Sequence, residues 1–89
     1  FVLAPHALPA LIEAVVVQMQ ALARYRGISL SMTPAPDCTV LADGERLQQA
    51  LTTVLDNALR YTPEGGNVVV QVTRNDEWVC IQVDDDGPG

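Results

Sequence analysis

Within 89 residues the spacing of apolar side chains switches from helical to strand-like, back to helical, and again to strand-like. That order is the tightest constraint on what the chain can fold into. Leu8, Leu11, Ile12, Val15, Val16, Met19, Leu22 and Ala23 recur at offsets of three and four, one face of an amphipathic helix from about Ala7 to Tyr25. Pro9 falls in its first turn, where backbone N–H groups have no intrahelical partner, and Gly27 suits its exit. Ile28, Leu30 and Met32 then alternate with Ser29, Ser31 and Thr33, a half-buried strand. After the turn PAPD, CTVLA reads as a second short strand, and Asp43 stands where a helix N-cap belongs. The next helix carries Leu47, Ala50, Leu51, Val54, Leu55, Ala58 and Leu59 on one face and ends at Pro63 and the pair Gly65-Gly66. NVVVQVT and WVCIQV, joined at Asn75-Asp76, close the chain as two more strands. FVLAP at the start reads as a short edge strand ended by Pro5. The expectation is an α/β (α+β) two-layer sandwich, with two helices on one face of a mixed, largely antiparallel sheet.

Composition removes several function classes. The formal net charge is −6, from eleven acids, five arginines and no lysine. Nucleic acid and anionic membrane both require a basic patch, so neither is expected as a partner, and no direct membrane contact is expected from this segment. No apolar run reaches the about 20 residues of a membrane span, and no basic-then-hydrophobic leader is present. Cys38 and Cys80 form no CxxC or Cys/His cluster, and with one histidine a structural zinc site is not expected. Cys80, flanked by Val79 and Ile81, reads as a small packing residue. Residues 1–89 are expected to be one piece of a single domain, since the chain opens on Phe1 without an initiator Met and closes inside a turn.

Chemistry concentrates in two places. On the second helix Gln49, Thr53, Asn57 and Arg60 form a polar stripe with Tyr61 at its edge, because they are three or four residues apart. The bland reading is the wet side of a helix. On the last strand Val79, Ile81, Val83 and Asp85 share one face, while Trp78, Cys80, Gln82, Asp84 and Asp86 take the other. If the valine row faces the helices, Asp85 points into the layer that carries Asn57. A buried carboxylate there needs a hydrogen-bond partner, which a ligand with an exocyclic amino group could supply. The bland reading is a strand end that caps a turn. Gly87 and Gly89 permit close approach of the backbone to a ligand.

Taken together, DNALRYTPEGG (residues 56–66) resembles the N box of sensor histidine kinases, and DDGPG (residues 85–89) resembles their first glycine box, DxGxG. The upstream ADGERLQQALTTVLDNA and the intervening strand pair fall at that family's spacing, so the resemblance covers nearly the whole chain. It implies a Bergerat-type fold, incomplete here, that binds Mg-ATP and passes the γ-phosphate to a histidine on a separate helical dimerisation and phosphotransfer domain, for relay to a response regulator. By the same resemblance Asn57 would hold Mg2+, Arg60 would approach a phosphate oxygen, and Tyr61 would pack along the nucleotide. Asp85 would accept from the adenine amino group, with Gly87 and Gly89 beside the purine. The family also implies a cytoplasmic domain whose parent is a bacterial inner-membrane sensor.

The chain departs from that pattern at Thr53, where relatives often carry Asn, His or Glu; a hydroxyl is a poor general base. The related chaperone and topoisomerase ATPases use Glu there, so Thr53 argues against them. The lid, the second glycine box and the final strands are absent from residues 1–89, so the fragment alone is expected to be inactive as a kinase. His6 is followed by Ala-Leu-Pro, unlike an acceptor histidine, and is expected to cap the first helix or lie at the surface. Two other readings stay open: a nucleotide-binding or interaction module of the same fold without phosphotransfer, and an anti-sigma-factor type of serine kinase.

Overall fold

A computed structural model describes residues 3–76 and 78–85. In chain order the elements are β1 (Ala4–Ala7), α1 (Leu8–Tyr25), β2 (Ser29–Met32), β3 (Thr39–Ala42), α2 (Gly44–Tyr61), β4 (Asn67–Arg74) and β5 (Val79–Asp85). This is the order the apolar periodicity implies. Among the described residues the strands form two sheets. One is three-stranded, β2-β4-β5, and the other pairs β1 with β3. β2 and β4 run parallel, whereas β4–β5 and β1–β3 are antiparallel, so the strand pairing is mixed and largely antiparallel.

Local chemistry sets the helix ends. Asp43 caps α2, its carboxylate accepting from the Arg46 N–H at 3.2 Å. At the other end the Thr62 hydroxyl, buried, donates to the Ala58 carbonyl at 2.7 Å, and Pro63 ends the run. α1 closes in a Schellman motif. Gly27 takes φ +69°, its N–H donates to the Arg24 carbonyl, and the Ile28 N–H donates to the Ala23 carbonyl at 2.9 Å. A tight turn follows α2, with Gly65 at φ +86° and the Gly66 N–H donating to the Pro63 carbonyl. The two turns are joined, since the Gly65 N–H donates to the Gly27 carbonyl at 2.8 Å and the Ser29 N–H to the Gly66 carbonyl at 3.0 Å. The parallel ladder starts at once from there, Ser29 opposite Asn67.

Both helices cover one face of the three-stranded sheet. The core joins Ile12, Val15, Met19 and Ala23 of α1 to Leu51, Leu55 and Leu59 of α2, over Leu30, Val68, Val70 and Val72. Cys38 and Val40 pack against it from the β3 side.

Several local expectations are corrected. β1 does not end at Pro5 but runs through it, with Pro5 opposite Leu41. A two-stranded sheet has only edge strands, where a missing N–H is tolerated. His6 lies within this strand and caps nothing: the N-cap of α1 is Ala7, with no side-chain hydrogen bond. The imidazole rests instead against Gly44, where an added Cβ would come within 2.7 Å of the ring. Cys80 is exposed rather than packed, because its side of β5 is the one without helices. Ala50 and Val54, read as core from their helical phase, are also exposed, Val54 by 48%.

Leu55 has no exposed surface. Leu55→Ala should therefore cost about 2–5 kcal/mol in chemical denaturation, from lost transfer energy and the cavity left behind. Val54→Ala should cost about 0.5 kcal/mol or less. Equal losses at the two positions would contradict this packing.

Candidate functional site

The polar stripe of α2 is where its spacing puts it. Gln49, Thr53, Asn57, Arg60 and Tyr61 are all exposed. At about 100° per residue, Ala50, Val54 and Tyr61 fall on the flank beside that stripe. Gln48, on the opposite flank, donates to the Leu11 carbonyl of α1 at 3.4 Å, so the Ala50–Val54–Tyr61 flank faces away from α1. It is an apolar ledge open to solvent, with Tyr61 66% exposed.

The individual groups differ in readiness. The Thr53 hydroxyl donates to the Gln49 carbonyl one turn back, at 3.0 Å. That back-bond occupies its proton. Arg60 pairs with Asp56, the guanidinium Nη2 donating to Oδ2 at 3.0 Å. Asp56 was not singled out from the sequence, although an Asp four residues before an Arg on a helix is a readable signal. The Asn57 amide has no hydrogen-bond partner among the described residues, so both its oxygen and its NH2 are available to a ligand.

Asp85 belongs to the other wall. In the β4–β5 ladder it stands directly opposite Val68, which is wholly buried. Cross-strand partners share a face, so Asp85 lies on the helix side of the sheet. Val79, Ile81 and Val83 on the same row are half-buried and pack against the core. The row therefore faces the helices, as its alternation implies. Asp85 itself is exposed, so the desolvation cost expected of a buried carboxylate does not arise. Gly87 and Gly89 lie outside the described residues.

α2 packs against β5, and Asp85 lies on the β5 face turned toward the helix layer. Chemically, that layer offers an apolar ledge with an amide and a guanidinium on the helix and a carboxylate at the strand end. Such a set suits a flat heterocycle carrying an anionic tail. It is not a metal cage: among the described residues no group of three His, Cys, Asp or Glu side chains could hold an ion. A cation would have to arrive with its own oxygen ligands, and one amide oxygen is a fitting addition to those of a hard ion. A recess of about 590 Å³ lies elsewhere, between β1, α1 and the start of α2. It is floored by alanines and contains none of these groups. Among the described residues no helix is long and apolar enough to cross a membrane.

Known proteins share this fold. The profile of a family described as histidine kinase-, DNA gyrase B- and HSP90-like ATPase matches residues 42–89, more than half of the chain. The adaptive-response sensory kinase SasA of Rippkaea orientalis is 33% identical over 84 residues, which is 92% of this chain and 22% of that protein. The chain thus spans about a fifth of the length of such a relative. Among solved structures, the catalytic domain of histidine kinase ThkA superposes with a TM-score of 0.91 at 27% identity, covering 99% of this chain and 60% of that one. ThkA is also known in complex with a response regulator, TrrA; that structure superposes with a TM-score of 0.88 at 26% identity, covering 97% of this chain and 26% of that one.

The Asp56–Arg60 pair is half-exposed and within one helix. Asp56→Ala should change unfolding free energy by only about 0.5 kcal/mol, as measured by urea denaturation. A loss of several kcal/mol would mean the pair has a structural task that its exposure does not suggest.

Proposed function

The chain belongs to the family of histidine kinase-, DNA gyrase B- and HSP90-like ATPases, and from that premise we propose that it is the Mg-ATP-binding part of a two-component sensor histidine kinase. The observation that carries the reading is the pairing of Asp85 with Val68, which sets a carboxylate on the side of the sheet that the helices, α2 with Asn57 among them, cover. The likeness to SasA and ThkA favours the histidine-kinase branch over the gyrase and chaperone branches. Thr53 in place of a general base agrees with that choice.

In this reading Asp85 accepts a hydrogen bond from the adenine amino group, Tyr61 packs along the nucleotide, and Gly87 and Gly89 let the backbone pass close to the purine. Asn57 contributes its amide oxygen to Mg2+. The ion, when bound, offsets the charge of the phosphates. Arg60 turns from Asp56 to a phosphate oxygen; an exposed ion pair of this kind costs little to exchange. The phosphoryl group then goes to a histidine on a separate helical domain of the same protein, and from there to a response regulator. The complex of ThkA with TrrA supports a partner of that class. ATP as substrate implies action in the cytoplasm, and the parent would be a bacterial inner-membrane sensor. The lid and second glycine box would lie beyond residue 89.

One observation favours a second reading, a module of this fold that binds nucleotide without transferring phosphate. The Thr53 hydroxyl donates its proton to the Gln49 carbonyl of its own helix. Mg-dependent ATP binding without autophosphorylation in the full-length protein would select it.

Two substitutions test the site. Asp85→Asn should weaken ATP binding by about 1–3 kcal/mol, the usual cost of a lost buried partner once the ligand covers it. Isothermal titration of the full-length protein measures this, and unchanged affinity would take Asp85 out of the site. Asn57→Asp should disturb Mg2+-dependent binding while leaving the circular dichroism spectrum as it was. Loss of the folded spectrum would make Asn57 structural instead.

A further inference from the structure

The chain carries three consecutive aspartates, Asp84, Asp85 and Asp86, and the first two end β5, an edge strand among the described residues. We infer that Asp84 is a positioning residue, whose capture by two glutamine amides on the outer face of the sheet determines that Asp85 is the carboxylate facing the helices.

Asp84 accepts two amide hydrogen bonds. Gln71 on β4 donates through Nε2 to Oδ2 at 3.0 Å, and Gln82 on β5 donates through Nε2 to Oδ1 at 2.9 Å. Both carboxylate oxygens are thus used. One bond crosses to the neighbouring strand on the diagonal, since Asp84 stands opposite Val69 and Gln71 opposite Gln82. The other runs along β5. All three side chains lie on the face that the helices do not cover.

Elsewhere in β5 such a device would be redundant. Ile81 and Val83 oppose the buried Val72 and Val70, and a slip of one residue would turn that whole row to solvent. Beyond Val83 this protection stops, because the next residue of the row is Asp85, which is exposed. Strand ends with little apolar burial open most easily. A local bulge there would present a neighbouring aspartate of identical chemistry, displaced by about 3.3 Å along the strand. Holding Asp84 outward forces Asp85 inward, because successive side chains take opposite faces. The consequence for ligand choice rests on the reading of Asp85 as the adenine contact; the restraint on the strand end does not.

The test uses the full-length protein and two readouts. In Asp84→Ala, amide hydrogen exchange without nucleotide should speed up about tenfold over Val83–Asp85, the scale of two modest hydrogen bonds, and stay unchanged near Arg74 and Val79. The ratio of ATP to GTP affinity should fall several-fold, as it should more completely in Asp85→Asn. Gln71→Glu should mimic Asp84→Ala by setting carboxylate against carboxylate. Adding Asp84→Asn to it should restore both readouts, since donor and acceptor have then changed places. Unchanged exchange in Asp84→Ala overturns the inference. So does unchanged nucleotide preference in Asp84→Ala where Asp85→Asn abolishes it. Faster exchange with a preference that neither variant alters would uphold the restraint and remove Asp85 from adenine recognition.

Discussion

Everything in this fold is arranged around one row of side chains, the buried Val68, Val70 and Val72 of β4. β4 is the central strand, hydrogen-bonded to β2 on one side and β5 on the other. Its alternation obliges both helices to lie on the same face, where Leu55 and Leu59 of α2 and Ile12 and Val15 of α1 join the valines in one core. The same row fixes the phase of β5, because Val83 and Ile81 must oppose Val70 and Val72. Asp85 inherits its orientation from that phase. The capture of Asp84 on the outer face then holds the strand end to that phase.

How far the sequence discloses this differs from element to element. The two helices and the strands that follow them are legible in order from periodicity, as Leu51, Leu55 and Leu59 on α2 and Val68, Val70 and Val72 on β4 illustrate; β1 is not, because it runs through the proline expected to end it. The side of the sheet taken by Asp85 was equally legible, because parity is a local property of a strand. Ala50 and Val54 were misjudged because helical phase identifies an apolar flank but not what covers it. Among the described residues nothing does. Cys80 was misjudged for a related reason: its neighbours in sequence are packed, but its own face of the sheet is bare. The division into two sheets and the contact of His6 with Gly44 depend on how distant segments meet, which no local pattern encodes. The Asp56–Arg60 pair is legible, because an acid four residues before an arginine shares its helix face.

The site shows the same economy. In the proposed reading α2 uses one face for the core and its exposed polar stripe for chemistry, so the helix that stabilises the domain would also present Asn57 and Arg60 at fixed spacing. The stripe is exposed, and its one cation is held by Asp56. The groups are therefore presented on a rigid element without being buried by it. The cost of desolvating them falls on the binding event, when a ligand supplies the compensating contacts.

Gly27 and Gly65 look interchangeable in the sequence, and both adopt positive φ. Their surroundings make them unequal in mutational tolerance. At Gly65 an added Cβ would meet nothing within 4 Å, so a substitution there faces conformational strain alone, which Asn and Asp bear best. At Gly27 the Cβ would also come within 2.8 Å of the Glu64 side chain. A change there disturbs α1, the α2–β4 turn and the first pair of the parallel ladder at once. Of the two, Gly27 is the position at which natural variation has the least room.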